Sequence, residues 1–402
     1  MLRTLKYSRY LLEHGWRTTV IAPNESAYDV IDKKLADQIP GAVRVIRTHF
    51  LNTKRNLSIR GIYPAILAVP DTWIGWMPWA VKAGRALLQR DPYDLIYSTS
   101  PHATAHIIAL RLSASSQKPW VTDFRDPWNE DPPEPGAPNG VVYRWANRTL
   151  ERKVIHKCSR VVASTTQLRD LLRERYASEP SDKFDAILNG YDEEDFASLP
   201  AASNERADKL LMLHAGGINA DFRDPIPLFE ALRKVADTGA IDLRKLCVRF
   251  IGPGAYGDSV GLRRCVKTLG LDEVVDFLQR VSYNEALQEL NRAGVLLLVH
   301  SSPDTANLVP AKLYEYLRAY KSVLALVCPG ATADIVEATH GGWAVAPDHA
   351  SKLQVILSNI FDRWVLGKLG EERADSEVLW QFDRRSLTGK LAAIFDQLLS
   401  PV

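Results

Sequence analysis

Short apolar runs alternate with stretches of helical periodicity along almost the whole chain, and this rhythm restricts the fold more than any other feature. Several runs, such as VLLLV at residues 295–299, are apolar at every position, which is typical of strands buried on both faces. Repeated alternation of strands and helices favours parallel sheets covered by helices. The predicted strands are residues 18–22, 43–47, 95–98, 119–123, 160–164, 210–214, 248–252, 275–278, 295–299, 323–327 and 343–346. The helix-like stretches include residues 102–112, 141–156, 225–236 and 310–319.

These strands are too many for one domain, and the chain contains one clear candidate for a boundary. Residues 197–209, ASLPAASNERADK, are small and polar with a proline, as in a linker, and the strand–helix rhythm restarts after them. The length of 402 residues also favours two domains. We therefore predict an α/β protein with two tandem Rossmann-like, doubly wound domains at residues 1–196 and 210–378. The interdomain cleft would face the carboxyl ends of the strands, where such sheets bind ligands.

The chain opens on a helix rather than on a strand. Leu2, Leu5 and Leu12 lie on roughly one side of this helix, and Gly15 is a suitable stop. A doubly wound domain ordinarily begins with a strand and a glycine-bearing loop ahead of its first helix. We therefore expect the given sequence to lack that strand and loop, through truncation or through a start codon assigned too late.

The bulk composition excludes several classes of protein. A formal net charge of +2 gives no global electrostatic basis for binding nucleic acid. The four cysteines form no CxxC pair, so neither a zinc site nor a disulfide framework is indicated, and a reducing cytoplasm is expected. No run reaches the ~18 apolar residues of a membrane-spanning helix.

One apolar stretch, residues 62–79, contains three tryptophans at Trp73, Trp76 and Trp79. Prolines and an aspartate interrupt it, so it does not predict a membrane span. One interpretation is a buried loop that packs on its own domain. The other is a peripheral membrane contact or lipid-acceptor surface, because indole rings favour the membrane interface.

The segment at residues 301–320, SSPDTANLVPAKLYEYLRAY, follows an apolar strand and carries the strongest chemical signal. A helix that begins near Pro310 would offer its N-terminus to a diphosphate at the end of that strand. Glu315 lies about one turn further on, and a carboxylate can accept two hydrogen bonds from a ribose diol. Lys312 can meet a phosphate or pair with Glu315. An exposed Lys–Glu pair on a surface helix is the alternative interpretation.

A second segment, residues 211–223, closes the first strand of the C-terminal half. Gly216 and Gly217 allow the backbone to approach a ligand closely, and Arg223 can bind a phosphate through two hydrogen bonds. A tight turn explains the same glycines. The loop RVSY at residues 280–283 follows another strand and is a candidate to frame a base.

Two segments of the N-terminal half end on polar residues. TDFRDPW at residues 122–128 places Asp123, Arg125 and Asp126 at the end of a strand. A carboxylate there can form a structural ion pair, or it can act as an acid, a base or an acceptor-orienting group. His102 and His106 have metal-binding spacing, but no third ligand motif accompanies them, so we predict no metal site.

Taken together, these segments resemble the large family of retaining glycosyltransferases with two Rossmann-like domains, the GT-B fold, often called family four. The resemblance follows the family's order over nearly the whole chain. PAKLYEYL and FRDPW are most similar to the branch that builds bacterial surface polysaccharides and related glycoconjugates. The matching phrases are LLEHGWRTTVIAP (11–23), DLIYSTSP (94–101), WVTDFRDPW (120–128), ILNGYDEEDF (187–196), RFIGPG (249–254), RVSYNEALQELNRAGVLLLV (280–299) and VPAKLYEYLRAYKSVLALV (309–327).

The resemblance implies roles for several residues of the C-terminal half. Glu315 matches the ribose-binding glutamate of the family, and the backbone around Leu308 and Val309, up to residue 311, matches its diphosphate cradle. Arg223 lies in the loop that usually supplies a basic phosphate contact, although the usual arginine–lysine spacing is not clear. Gly216, Gly217 and Lys312 belong to the same predicted donor site.

Other positions carry the resemblance with differences. Arg280 and Val281 lie where the base of the donor usually stacks. Arg125 falls where many members have a histidine near the reacting sugar, and Asp126 follows it, so both are the predicted catalytic residues. Asn307 replaces a glutamate that the family often carries eight positions before the ribose-binding one, so this position differs from the family's pattern.

The resemblance implies a glycosyltransferase of the EC 2.4 type that needs no metal or other cofactor. The donor would be a nucleotide-sugar bound by the C-terminal domain, and the acceptor a glycan or lipid-linked molecule that enters from the N-terminal domain. A C-terminal helix within residues 379–402 would pack back on the N-terminal domain. The expected location is the cytoplasm, and a peripheral contact with the inner membrane is a further option.

Two alternatives of other classes remain. A nucleotide-sugar epimerase of the same fold would need several acids and histidines for proton chemistry, and the N-terminal half contains few. A non-catalytic nucleotide-sugar-binding protein would follow if the elements expected before the first helix were truly absent.

Overall fold

A computed structural model describes residues 2–28, 31–57, 65–129, 140–197, 199, 208–300, 306–371 and 373–400. The chain divides into two compact units, which we call unit 1 (Met1–Leu188 with Arg385–Val402) and unit 2 (Asn189–Arg384). Most of the predicted linker at 197–209 lies outside the described residues. Within the described ranges, no helix is long and apolar enough to cross a membrane.

Sixteen helices and twelve strands, numbered in chain order, build the described parts of both units. The helices are α1 (Leu2–Tyr10), α2 (Lys33–Ala36), α3 (Thr53–Leu57), α4 (Met77–Arg90), α5 (Thr104–Ser116), α6 (Val141–Lys157), α7 (Thr166–Arg175), α8 (Glu193–Ala197), α9 (Ile226–Asp237), α10 (Val260–Thr268), α11 (Tyr283–Arg292), α12 (Lys312–Arg318), α13 (Ala331–Ala338), α14 (Ala350–Val365), α15 (Ser376–Leu379) and α16 (Arg384–Leu399). The strands are β1 (Thr19–Pro23), β2 (Arg44–Thr48), β3 (Ile96–Thr99), β4 (Trp120–Phe124), β5 (Arg160–Ala163), β6 (Phe184–Ala186), β7 (Leu210–Ala215), β8 (Leu246–Ile251), β9 (Val275–Leu278), β10 (Val295–His300), β11 (Ser322–Val327) and β12 (Gly342–Val345).

Unit 1 contains two parallel sheets, one of β1 and β2 and one in the order β3-β4-β5-β6. Strand β4 is buried at every position, and its side chains alternate between two apolar cores. Trp120 and Phe124 pack into one core beside Val154 of α6. Val121 packs on the opposite side with Tyr7 of α1 and Leu391 of α16. Asp123 has the same parity as Val121 and therefore points toward α1.

The buried face of α1 is not formed by its leucines. Leu2, Leu5 and Leu12 are only half-buried. Arg3 can occupy the inner face because Asp123 and the Ile187 and Leu188 carbonyls accept its hydrogen bonds. Gly15 ends the following helical turn with φ of 80°, which confirms the predicted stop. The side chains that form the buried face, at helical spacing, are Arg3, Lys6, Tyr7 and Tyr10.

The three tryptophans of the apolar stretch at 62–79 are described, although residues 62–64 are not. Trp76 is 8% exposed, and its indole N–H donates to Thr48 Oγ1 at 2.7 Å. Trp73 stacks on His102 with ring centroids 3.8 Å apart, and Trp79 is partly exposed. These contacts favour the buried-loop interpretation for the described part of the stretch.

Unit 2 is a single six-stranded parallel sheet in the order β12-β11-β10-β7-β8-β9. The chain starts in the middle at β7, builds outward through β8 and β9, and then returns to the other side of β7. This reversal creates a switch point between β7 and β10, where open α/β sheets bind ligands at the carboxyl ends of their strands. The predicted α/β class with parallel sheets is confirmed.

Apolar burial fixes the central strands of unit 2. Strands β10 and β11 are buried at all their positions, as expected for runs that are apolar at nearly every position. Leu232 of α9 and Leu353 of α14 are fully buried against the sheet in the same core. Each such leucine contributes about 1.5–3 kcal/mol of transfer free energy. The rigid sheet therefore holds its strand ends, and the side chains on them, in fixed positions.

Candidate functional site

Two histidines lie at the switch point of unit 2. His214 is near the end of β7 and His300 is the last residue of β10. Both side chains are buried, and the strands that carry them are hydrogen-bonded neighbours. Neither histidine is among the site residues that the sequence predicts. The fold therefore brings two unpredicted imidazoles to the position where a ligand of this sheet is expected.

Lys312, at the start of α12, reaches into the same place. Its Nζ lies 3.1 Å from His214 Nε2, while His214 Nδ1 donates to the Leu297 carbonyl oxygen at 2.9 Å. The imidazole proton is therefore on Nδ1, and Nε2 accepts from the ammonium. Gly216 has φ of 116°, and a Cβ on it would lie 2.8 Å from Lys312 Nζ. Gly216 thus makes room for the lysine head.

Positive charge accumulates around this lysine without a matching carboxylate among the residues that the structure describes. Loss of hydration and the neighbouring Arg223 charge lower the pKa of Lys312 to about 7. Burial, with the same two cations, lowers the pKa of His300 to about 4, so this imidazole is neutral near neutral pH. Among the described residues, neither Lys312 nor Arg223 forms an ion pair, and the Arg223 guanidinium lies 5.1 Å from the Phe222 ring centroid.

Glu315 forms a different group, three residues along α12. Its Oε1 accepts a hydrogen bond from Tyr283 Oη at 2.9 Å, and the same hydroxyl lies 3.2 Å from Asp195 Oδ2. Burial raises the pKa of Glu315, although the Tyr283 hydrogen bond acts in the opposite direction. Tyr283 therefore holds one carboxylate oxygen in place and leaves the other available. The alternative of an exposed Lys312–Glu315 pair does not describe these contacts.

The described residues just before α12, among them Leu308 and Val309, carry no charged side chain, unlike Lys312 on the helix itself. Helix α12 has only seven residues, so its dipole is short. The Leu308 carbonyl accepts from Thr332 Oγ1 at 2.8 Å, and Val309 is buried. Their roles in a diphosphate cradle remain predictions, and the side chains of Lys312 and Arg223 are the stronger source of positive charge.

The remaining predicted donor residues lie on neighbouring loops of unit 2. Gly217 has open space where a Cβ would be, and Arg280 is exposed beside Gly252. Val281 is half-buried and precedes Ser282. Ser282 caps α11 through a reciprocal pair of hydrogen bonds with Glu285. The cap fixes the start of α11, and Tyr283 follows it directly, so the loop is positioned for both the proposed base contact and the Glu315 contact.

In unit 1, Asp123 is part of a buried ion pair and is not a free acid or base. Arg3 Nε and Nη2 donate to its two carboxylate oxygens at 2.9 and 2.8 Å, and Tyr97 and Thr99 add two more hydrogen bonds. Burial alone would raise the pKa of Asp123, but the Arg3 charge and these donors hold it below its ordinary value. The structural interpretation of this carboxylate therefore holds.

Arg125 and Asp126, the predicted catalytic residues, follow β4 directly. The Arg125 backbone N–H donates to Ser100 Oγ at 2.7 Å, and its carbonyl accepts from Ser164 Oγ at 2.7 Å, which fixes the turn. The Asp126 side chain is accessible, yet surrounding protein reduces its hydration and raises its pKa. Nothing in these contacts assigns a catalytic role, which stays a prediction.

The two histidines of α5 and the turn before it lie in different surroundings. His102 stacks on Trp73, whereas His106 is buried with its Nδ1 2.8 Å from Ser98 Oγ. Burial lowers the pKa of His106 to about 4. Packing therefore accounts for both histidines.

Comparisons with known proteins agree with this geometry. Residues 2–190, which cover nearly all of the first segment of unit 1, match the family model of the glycosyl transferase 4-like domain. Over 98% of this chain and 95% of the other, the structure is similar to HepE of Anabaena solved in complex with UDP, with a TM-score of 0.69 and 18% identity.

Two further solved structures have the same fold over nearly their whole length. A glycosyltransferase from Rickettsia africae matches with a TM-score of 0.69 and 15% identity, covering 100% of this chain and 95% of that one. Sucrose-phosphate synthase from Thermosynechococcus elongatus matches with a TM-score of 0.67 and 14% identity, covering 99% and 92%. No curated protein sequence matches the chain. Residues 2–190 therefore match a glycosyl transferase 4-like domain, and the chain has the GT-B fold of these glycosyltransferases.

Proposed function

We propose that unit 2 binds a nucleoside diphosphate sugar with its diphosphate against Lys312 and Arg223. The observation that carries this proposal is the excess of positive charge at the switch point, where described residues provide two cations and no paired carboxylate. Burying uncompensated charge costs free energy unless a ligand of opposite sign completes the site. Phosphate oxygens meet that need, and a guanidinium binds them in a bidentate geometry.

The ribose of the donor is assigned to Glu315. Its carboxylate lies one helical turn beyond Lys312, and Tyr283 fixes its orientation. The free oxygen can accept from a ribose hydroxyl, while the residues Arg280 and Val281 would flank the base. HepE has been solved with UDP and with UDP-glucose, so uridine nucleotides are the first donors to test on this chain.

The reaction proposed is glycosyl transfer with retention at the anomeric carbon. The bond from this carbon to the diphosphate breaks, and its electron pair leaves on the phosphate oxygen. The oxygen of an acceptor hydroxyl forms the new bond and loses its proton. Lys312 and Arg223 stabilise the charge that develops on the diphosphate, which is a role that bound metals have in other enzymes. We therefore propose that transfer proceeds in the presence of a chelator.

The acceptor side is assigned to unit 1, where Arg125 and Asp126 are the candidates to orient the acceptor hydroxyl or to accept its proton. A raised pKa makes the Asp126 carboxylate a stronger base than an ordinary one. We propose a glycan or lipid-linked acceptor in polysaccharide or glycoconjugate biosynthesis, and a cytoplasmic location, which suits the free cysteines.

Binding of nucleotides to the wild type and to Glu315→Gln tests the donor site. We expect calorimetry to detect binding of one nucleoside diphosphate among UDP, GDP, dTDP and ADP, and the variant to bind it at least about tenfold more weakly, since hydrogen bonds to charged groups contribute about 1.5–3 kcal/mol. Glu371→Gln, an exposed glutamate of the same unit, is the matched control. Equal affinity in the wild type and in Glu315→Gln would sink the ribose assignment.

Transfer itself is tested with labelled donor and a mixture of glycan and lipid-linked acceptors. A labelled acceptor product supports the transferase, whereas an epimerised donor with no acceptor product supports the epimerase alternative. Nucleotide binding with neither product identifies a non-catalytic binding protein.

A further inference from the structure

Helix α6 of unit 1 exposes three large apolar side chains on its first turns. Val141, Val142 and Trp145 are 76%, 69% and 67% exposed, which are among the highest values for apolar residues in the described chain. A helix normally turns such residues toward the core. In α6, other residues form the inward face, since Val154 and Ile155 are fully buried in the core of unit 1.

The later turns of the same outward face are basic. Arg148, Arg152, Lys153 and Lys157 are all exposed, and none of them forms an ion pair with a residue that the structure describes. The only acidic residue of α6 is Glu151, which is buried and accepts hydrogen bonds from Arg175 and Tyr176. The outward face of α6 therefore carries positive charge with no negative charge among it.

Helical geometry places these two groups on one continuous surface. Trp145, Arg148 and Arg152 follow Val141 at intervals of four, three and four residues, so they lie on one stripe. The seventeen residues of α6 span about 25 Å at ~1.5 Å per residue. The stripe is long enough to lie along a surface rather than to fill a pocket.

We propose that the outward face of α6 docks on an anionic lipid bilayer. The charge pattern favours this occupant: four unpaired cations suit lipid phosphates, and an indole with two valines suits the interface between headgroups and acyl chains. A partner protein would have to present a matching acidic surface to all four cations. This inference does not depend on the donor site, because it concerns residues of unit 1 that take no part in it.

Sedimentation with vesicles tests the inference on the full chain. The wild type is expected to bind vesicles of phosphatidylglycerol and phosphatidylcholine, to bind pure phosphatidylcholine weakly, and to be released by salt. Each basic residue near an anionic surface contributes about fivefold to the partition coefficient, so Arg148→Gln with Arg152→Gln should reduce partition by about 25-fold. Trp145→Ser should also reduce it, through loss of the indole.

Matched controls lie on unit 2. Arg264→Gln with Lys267→Gln removes two exposed charges from α10, and Trp380→Ser removes an indole that is 63% exposed. Both controls should bind vesicles like the wild type. All variants should bind UDP with unchanged affinity if they are folded and if the donor proposal holds; a lack of UDP binding by the wild type would overturn only that proposal. Absence of binding to anionic vesicles, or equal losses in the α10 and α6 variants, would overturn the docking surface.

Discussion

The two units bury cations in opposite ways. In unit 1, Arg3 meets the Asp123 carboxylate through two hydrogen bonds, and its remaining donors reach the Ile187 and Leu188 carbonyls at 2.8 Å. In unit 2, Lys312 meets only the neutral His214 nitrogen among the described residues. One cation is fully satisfied within the protein, and the other is not.

The pKa shifts express the same difference. Burial is the largest single influence and acts to lower the pKa of Arg3, but the charge and hydrogen bonds of Asp123, together with Tyr7 and Tyr97, raise it. The pKa of Lys312 falls to about 7 because burial and the Arg223 charge outweigh the attraction of Glu315. A balanced buried pair contributes to the fold, whereas an unbalanced cation is prepared to receive an anion. The comparison therefore distinguishes a group that stabilises the fold from the proposed binding site on physical grounds.

The largest expected effect comes from breaking the balanced pair. Arg3→Met leaves Asp123 as an unpaired buried carboxylate, and we expect the free energy of unfolding to fall by about 3–5 kcal/mol, measured by urea denaturation. Arg44→Met removes a partner from an exposed Arg–Asp pair and should change it by less than about 1 kcal/mol. Equal losses in the two variants would show that the buried pair has no special structural role.

Removing the charge of Arg223 should weaken ligand binding and leave the stability of the fold unchanged. Arg223→Gln is expected to leave the free energy of unfolding unchanged within about 0.5 kcal/mol, because no described residue pairs with the guanidinium. Its affinity for UDP should fall by about 10–100-fold, since a charge-assisted hydrogen bond contributes about 1.5–3 kcal/mol. Calorimetry measures the affinity. Arg264→Gln is the control, and a destabilised Arg223→Gln with normal affinity would contradict the comparison.

Sequence patterns predicted the fold better than they predicted these pairings. The run VLLLV is a strand in the structure because each of its positions is buried. Strand β6 was missed, since its three residues, FDA, form no apolar run. The sequence does not predict the inner face of α1, because Arg3 is buried there through its pairing with Asp123, a carboxylate 120 positions away in the chain.

The candidate site could be predicted only one residue at a time. Glu315 and Lys312 were selected by their place after a buried strand, and the structure puts both near the switch point. The contact of Tyr283 with Glu315 spans 32 positions and has no local signal. His300 directly follows the predicted strand at residues 295–299 and belongs to none of the predicted site motifs. Contacts between residues that are distant in the chain cannot be predicted from one sequence, because such contacts leave no periodic pattern in it.

The unusual pKa of Lys312 gives a pH test of the unbalanced site. The ammonium is protonated below about 7 and neutral above it, so affinity for UDP-glucose should fall by about tenfold as the pH rises through that value. UDP-glucose is the probe because its diphosphate does not titrate there. Among the facing groups, His300 is neutral above about 4 and the pKa of His214 is well below its ordinary value, while burial lowers the pKa of Arg223 and raises that of Glu315.

The stability of the free protein should change in the other direction. Because the folded pKa lies below the ordinary value of 10.5, the unfolded chain binds more protons in this range, and stability from this residue rises with pH. Lys312→Arg keeps its charge and should remove most of the pH dependence of binding. If the affinity of the wild type for UDP-glucose did not change with pH, or if Lys312→Arg showed the same decline in affinity, Lys312 would not be the diphosphate-binding cation.

The smallest expected effect concerns the orientation of Glu315. Tyr283→Phe removes the hydroxyl that holds Oε1 but keeps the carboxylate of Glu315, so we expect UDP affinity to fall by only about fivefold, which corresponds to about 1 kcal/mol. If the role is positioning of the ribose contact, 2′,3′-dideoxy-UDP should bind the variant and the wild type equally, and the loss should vanish in a Glu315→Gln background. Tyr176→Phe removes a matched tyrosine–glutamate bond from unit 1 and should leave both affinities unchanged. A similar loss for both nucleotides would instead mean that Tyr283 supports the site only through packing.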